Sequence, residues 1–173
     1  MRSCLQSPLG VTVQRILPNR MDLGEVKSSL EPAAGGEAYA TGELPARFYE
    51  AFILHGLNID LIEHGHVVCS MTVAPRLVNS GGILHGSVIA ALVDLVGSAV
   101  LYSAGSSTSG VSVEISFSCV DQAFVDEEIV IDAKLLRFGR TVGVSTVEVK
   151  KKKTGEMVAH GRHCKYLAAS SRL

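Results

Sequence analysis

The chain has 173 residues, 47% of them apolar, with 16 basic against 17 acidic side chains and a formal net charge of -1. That length and apolar content suit one domain with a substantial core. Near-neutral charge, with five Phe, four Tyr and no Trp, leaves neither a basic footprint nor stacking platforms, so nucleic acid is not an expected partner. Cys4, Cys69, Cys119 and Cys164 are scattered without a C-x-x-C pair. This excludes a zinc ribbon, a thioredoxin motif and a dense disulfide framework, and suits a compartment without disulfide formation.

In chain order, residues 1–44 differ from the rest: Pro8, Pro18 and Pro32 punctuate them and Gly35-Gly36 adds a joint, so a disordered extension is expected. Its first 21 residues hold Arg2, Arg15 and Arg20 without an acid, faintly like a transit peptide, although Met21 could equally be the start. No apolar stretch of secretory type follows Arg2. From Pro45 the chain becomes regular, and one domain is expected over residues 45–168. Helical spacing over Ala46–Leu54 puts Phe48, Phe52 and Ile53 on one face, with His55-Gly56 as the stop. Leu57–Ile62 and Val67–Val73 are β-prone and flank the turn Glu63-His64-Gly65-His66. An apolar run from Gly86 to Tyr102 reads as one long helix, and strands are expected over Gly110–Val120, Glu128–Arg137, Thr141–Lys150 and Met157–Leu167. Phe138-Gly139-Arg140 and the segment from Lys151 to Glu156 are short Gly-containing turns that favour antiparallel hairpins. The run Lys150–Lys153 is read as a solvated turn. The order predicts an α+β fold, an antiparallel sheet curled around one apolar helix.

The anomaly is Asp94 in the middle of that helix. A helix apolar all round is expected to be buried, and a charged Asp is almost never buried without a partner. Either Ser98 or backbone amides satisfy it, or it works. A membrane span is a poor reading, because the run is short and carries Asp94 at its centre. The preceding turn, Asn79-Ser80-Gly81-Gly82-Ile83-Leu84-His85-Gly86, supplies the other candidates. Gly86 at the helix N-terminus has a free N–H at the positive end of the dipole, and without a side chain it admits close approach. Asn79 could position water or a carbonyl, or simply form the turn. His85 could polarise a carbonyl or cap the helix, and positioning suits it better than acid-base work. Eight residues at ~1.5 Å rise separate Gly86 from Asp94 by ~12 Å, so one carbonyl cannot readily touch both. If they share a site, they come from different copies of the chain. His64, His66, His160 and His163 show no metal-ligand spacing, and no metal is expected.

N-x-G-x-x-H-G before the helix, Asp eight residues after that Gly, the later Gly110-Val111-Ser112-Val113 strand and the closing Gly161-Arg162-His163-x-Lys165 together resemble the hotdog-fold acyl-CoA thioesterases. The likeness covers about residues 45–168 and is to the phenylacetic-acid-degradation type, the small acyl-coenzyme A thioesterase 13-like enzymes. It implies a sheet wrapped round a helix, a homodimer with a continuous sheet, pairing of dimers into a homotetramer, and a site shared between subunits. By matching position it assigns function to Asn79, His85, Gly86, Asp94 and Ser112, with Asp94 as base or nucleophile. Ser87 departs from the H-G-G of many relatives, which bears on acyl preference. Acyl-CoA would be substrate, so no cofactor is implied. Its phosphates call for basic contacts, for which Arg137 and Arg140 are the first candidates and Arg162 or Lys165 the next. Hydration or dehydration of an acyl thioester, and acyl-CoA binding without turnover, are the alternatives. Finally, Ser171-Arg172-Leu173 is similar to the S-K-L address, so import into the peroxisome through its receptor is expected, with cytoplasm or mitochondrion as alternatives.

Overall fold

A computed structural model of the chain describes residues 48–106 and 110–167, which belong to one compact unit running from Pro45 to Leu173. The expected extension over residues 1–44 and the terminal Ser171-Arg172-Leu173 lie outside the described residues. The first helix, α1 (Phe48–Leu54), ends where Gly56 adopts a φ of 87°, as the His55-Gly56 stop requires. Strands β1 (Asn58–Glu63) and β2 (His66–Thr72) form a hairpin, and a 3-10 turn (Pro75–Leu77) leads to the long helix α2 (Gly86–Ser103). Then come β3 (Val111–Cys119), β4 (Glu128–Phe138), β5 (Val142–Lys151) and β6 (Met157–Tyr166). The six strands make one sheet in the order β1-β2-β4-β5-β6-β3, every pairing antiparallel.

The sheet curls round α2, whose Leu92, Val93 and Val100 are fully buried against Ile129 and Ile131 of β4 and Val147 of β5. Burying each such side chain contributes roughly 1.5–3 kcal/mol, which makes this helix the centre of the core. By length and composition α2 could cross a membrane, yet half of it is buried inside the structure, as befits a core helix. Gly97 is a point of close approach between α2 and the sheet. A Cβ there would lie 2.9 Å from Ser145 Oγ and 3.2 Å from His163 Cβ, so even Ala would displace the strands that carry those residues.

The helix is not buried all round, contrary to the expectation from its composition. Asp94, Leu95, Ser98 and Ala99 are partly exposed and Tyr102 is exposed, because no strand covers that face. The turn over Lys150–Lys153 also differs in detail. Lys150 and Lys151 belong to β5 and pair with Glu148 and Asp121 at 2.6 and 2.7 Å.

The two sheet edges are unlike. β1 carries Asp60 and Glu63 and a register shift between Ile59 and Leu61, features that discourage edge pairing. β3 is exposed at every residue and presents Val111, Val113, Ile115 and Phe117. Long apolar edge strands are in general templates to which another chain can pair. β3 also contains a bulge between Ser112 and Glu114, which decides where Ser112 points. Strict alternation from Phe117 and Ile115 would put Val113 and Val111 on the helix side and Ser112 outward. The extra residue reverses the phase, so Ser112 joins Ile115 and Phe117 on the inner face and Val111 and Val113 are left two-thirds exposed.

Candidate active site

Half-way along α2, Asp94 meets the ends of β3 and β6. Ser112 Oγ donates to Asp94 Oδ1 at 3.3 Å, and His163 Nε2 lies 2.9 Å from Ser112 Oγ and 3.3 Å from Asp94 Oδ1. With the serine proton directed at the carboxylate, His163 is the donor to Ser112 Oγ and carries its proton on Nε2. Its Nδ1 is buried and unpartnered among the described residues. Protonation would create a buried N–H without an acceptor. Burial lowers the His163 pKa below its ordinary 6.5, the Asp94 charge opposes this, and the Lys165 charge adds to it. His163 is thus a neutral donor that holds Ser112 and Asp94 in place. The Ser98 partner expected for Asp94 goes elsewhere, since Ser98 Oγ accepts from the buried Lys165 Nζ at 3.0 Å.

A neutral buried imidazole makes a prediction about acid. Between its lowered pKa and about 6.5 the unfolded chain binds a proton that the folded chain does not, so stability falls as pH drops below about 6.5. The melting temperature of the wild type is expected to decline more steeply through that window than that of His163→Gln. Parallel declines in a thermal-melt series would show that another group is responsible.

Asp94 forms one wall of a cavity of about 480 Å³, with Leu54 of α1, Ser98 and Tyr102 of α2, Ser112 and Lys165 around it. The Asp94 side chain is 40% exposed into this space, enough for a water molecule to reach it.

The second group lies at the N-terminus of α2. Asn79 Oδ1 accepts from the Gly81 and Ile83 amides at 2.9 and 3.2 Å, so its oxygen builds the turn and its NH₂ is left to donate outward. His85 is the N-cap. Its Nδ1 receives the Ser87 amide at 3.1 Å and lies 2.8 Å from the Ser87 hydroxyl. An amide only donates, so Nδ1 is an acceptor and the ring proton sits on Nε2. Ser87, the departure from H-G-G, therefore contributes a hydroxyl contact to the nitrogen that sets this tautomer. The Val88 and Ile89 amides bond to the His85 carbonyl, leaving the Gly86 N–H without an acceptor among the described residues. The turn thus carries three donors, the Asn79 amide, His85 Nε2–H and Gly86 N–H.

The structure therefore brings Asp94 together with Ser112, and Asn79 with His85 and Gly86, with the two groups ~12 Å apart along one helix. The sequence marks His163 only as part of the closing Gly161-Arg162-His163-x-Lys165, and its place beside Ser112 and Asp94 emerges from the pairing of β6 with β3. Arg137 and Arg140 lie at the β4–β5 turn and are not among the residues lining the Asp94 cavity, and Arg162 pairs with Glu114 at 3.3 Å. No cluster of three metal-ligating side chains occurs among the described residues. Cys69, Cys119 and Cys164 are free.

A family model described as the thioesterase superfamily matches residues 81–158, from the turn before α2 into β6. Human acyl-coenzyme A thioesterase 13 is 37% identical over 103 residues, which is 60% of this chain and 74% of that protein. The crystal structure of zebra fish thioesterase superfamily member 2 is 33% identical and superimposes with a TM-score of 0.68, over 72% of this chain and 88% of that one. A hypothetical thioesterase protein of Streptococcus pneumoniae solved with coenzyme A shares the fold at a TM-score of 0.62 and 24% identity, over 65% and 86% of the two chains. With the antiparallel sheet wrapped round α2, these likenesses place the chain in the thioesterase superfamily, the hotdog-fold thioester hydrolases.

Proposed function

We propose that the protein hydrolyses acyl-CoA thioesters to a free acid and coenzyme A. The observation that carries this is the pair of groups at the N-terminus and the middle of α2: donors suited to a developing oxyanion at Asn79, His85 and Gly86, and an anionic base at Asp94 facing a water-accessible cavity. Hydrolysis needs both at one carbonyl. Their ~12 Å separation on one helix supports a site assembled from two subunits, with the donors from one protomer and Asp94 from its partner. The exposed apolar edge of β3, which carries Ser112, supports a homodimer joined there, and dimers pairing into a tetramer complete the reading. Asp94 then takes a proton from water, or attacks directly, with Ser112 and His163 fixing its carboxylate. Arg137 and Arg140 are proposed contacts for the coenzyme A phosphates, and Ser171-Arg172-Leu173 is the proposed peroxisomal address. Steady release of free thiol from a panel of acyl-CoA substrates tests the reaction. A change in acyl unsaturation would establish a hydratase or dehydratase instead, and tight binding with neither would establish a binding protein.

A further inference from the structure

Lys165 is a buried charge with too few partners. It is 7% exposed, and its one hydrogen bond among the described residues runs from Nζ to Ser98 Oγ, a neutral acceptor, at 3.0 Å. Two carboxylates line the same cavity, and neither forms an ion pair with it: Asp94 is held by Ser112 and His163, and Glu50 is exposed on α1. Buried ammonium groups are almost always paired, and three donors with one acceptor leave two unmet. Lys165 lines the Asp94 cavity together with Ser98, Tyr102 and Ser112, so an acceptor for those donors can come from a molecule bound there. Its charge reaches the reactive end of the wall, since it adds to the lowering of the His163 pKa.

The wall changes character along its length. Asp94, Ser98 and Tyr102 follow one another at one-turn spacing on α2, so ~6 Å of helix axis separates the level of Asp94 from that of Ser98, where Lys165 is held. Because Ser98 Oγ accepts from Lys165, its own proton remains to be donated, and the Tyr102 hydroxyl lines the same cavity. An ammonium flanked by hydroxyls is a receptor for a carboxylate. We propose that Lys165, with Ser98, binds a carboxylate at the far end of the acyl group, so that the favoured substrates are thioesters of short dicarboxylic acids whose thioester carbon sits beside Asp94; the proposal rests on the thioesterase reading given above. The ~6 Å offset is bridged by about two to four methylenes, which selects succinyl, glutaryl and adipyl groups. A malonyl group brings its carboxylate too close to Asp94, where like charges repel. The phosphates of coenzyme A are poor occupants, because the pantetheine arm holds them far from the thioester and Lys165 is too buried to follow them.

The full chain is titrated calorimetrically with S-(4-carboxybutyl)-CoA and S-pentyl-CoA, thioethers that cannot be hydrolysed, and thiol release is followed from malonyl-, glutaryl- and hexanoyl-CoA. Wild-type protein is expected to bind the carboxylated thioether about tenfold or more tightly than the alkyl one, and to show a lower KM for glutaryl-CoA than for the other two thioesters. Lys165→Met keeps the length of the side chain and removes its charge, a change that buried sites tolerate. It should weaken the carboxylated thioether about tenfold or more and leave S-pentyl-CoA little changed. Equal wild-type affinities for the two thioethers would overturn the proposal, and that comparison depends on no variant. Equal losses of both in Lys165→Met would overturn it too, by assigning the ammonium to coenzyme A itself. Carboxylate-selective binding that Lys165→Met abolishes, without thiol release from any substrate, would remove the thioesterase reading and leave the subsite standing. Thiol release with no preference for the carboxylate would do the reverse.

Discussion

Asp94→Asn is expected to lower kcat for acyl-CoA hydrolysis by 10² to 10⁴-fold, the usual loss when a general base is removed. Asn keeps the volume of Asp and can still accept from Ser112 Oγ, so the packing of α2 against the ends of β3 and β6 should persist. What disappears is the charge. Asp94 is 40% exposed, and the group that holds it, His163, is neutral, so nothing in the fold depends on the anion to the extent that water activation does. The checks are kcat from thiol release and an unchanged oligomer by light scattering. A purified Asn variant with near-native kcat would dismiss Asp94 as base or nucleophile. A variant that unfolds would instead make the carboxylate a structural group.

The part of this arrangement that was legible in the sequence is the part carried by local chemistry. The apolar run from Gly86, the Gly-bearing turns and the β-prone segments predicted both α-helices and all six strands to within a few residues, though not the 3-10 turn Pro75–Leu77, because periodicity and turn residues act over short range. The groups at the start of α2 were legible for the same reason, since an N-cap, a first-turn glycine and an Asx turn are all local devices.

What stayed hidden depends on pairing between distant strands. Alternation along β3 points Ser112 outward, and only the bulge at Val113, fixed by register with β6, turns it toward Asp94. His163 becomes informative once β6 lies beside β3 and its Nε2 comes within 2.9 Å of Ser112 Oγ. The exposure of Asp94 was likewise invisible in an all-apolar run, because it follows from which face of α2 the sheet fails to cover.

If the site is shared between subunits, two inactive variants should restore each other. Gly86→Val is the second of them, and its effect rests on geometry: a Cβ built at Gly86 meets nothing within 4 Å, so the added side chain fits the protomer's own fold. It would occupy the space in front of the Gly86 N–H, where the thioester oxygen is to come, and the expected loss is about 10² to 10³-fold in kcat, comparable to deleting an oxyanion donor. Asp94→Asn removes the base and keeps the donors, whereas Gly86→Val blocks the donors and keeps the base. In a mixed dimer one site then receives both lesions and the other receives neither. Random exchange of equal amounts makes about half the dimers mixed, each with one intact site of two, so activity should return to about a quarter of wild type. Activity that stays at the level of the parents, after subunit exchange has been verified by mass spectrometry of tagged chains, would mean that Gly86 and Asp94 do not meet across the interface, and the donors and the base would then have to serve a substrate within one protomer.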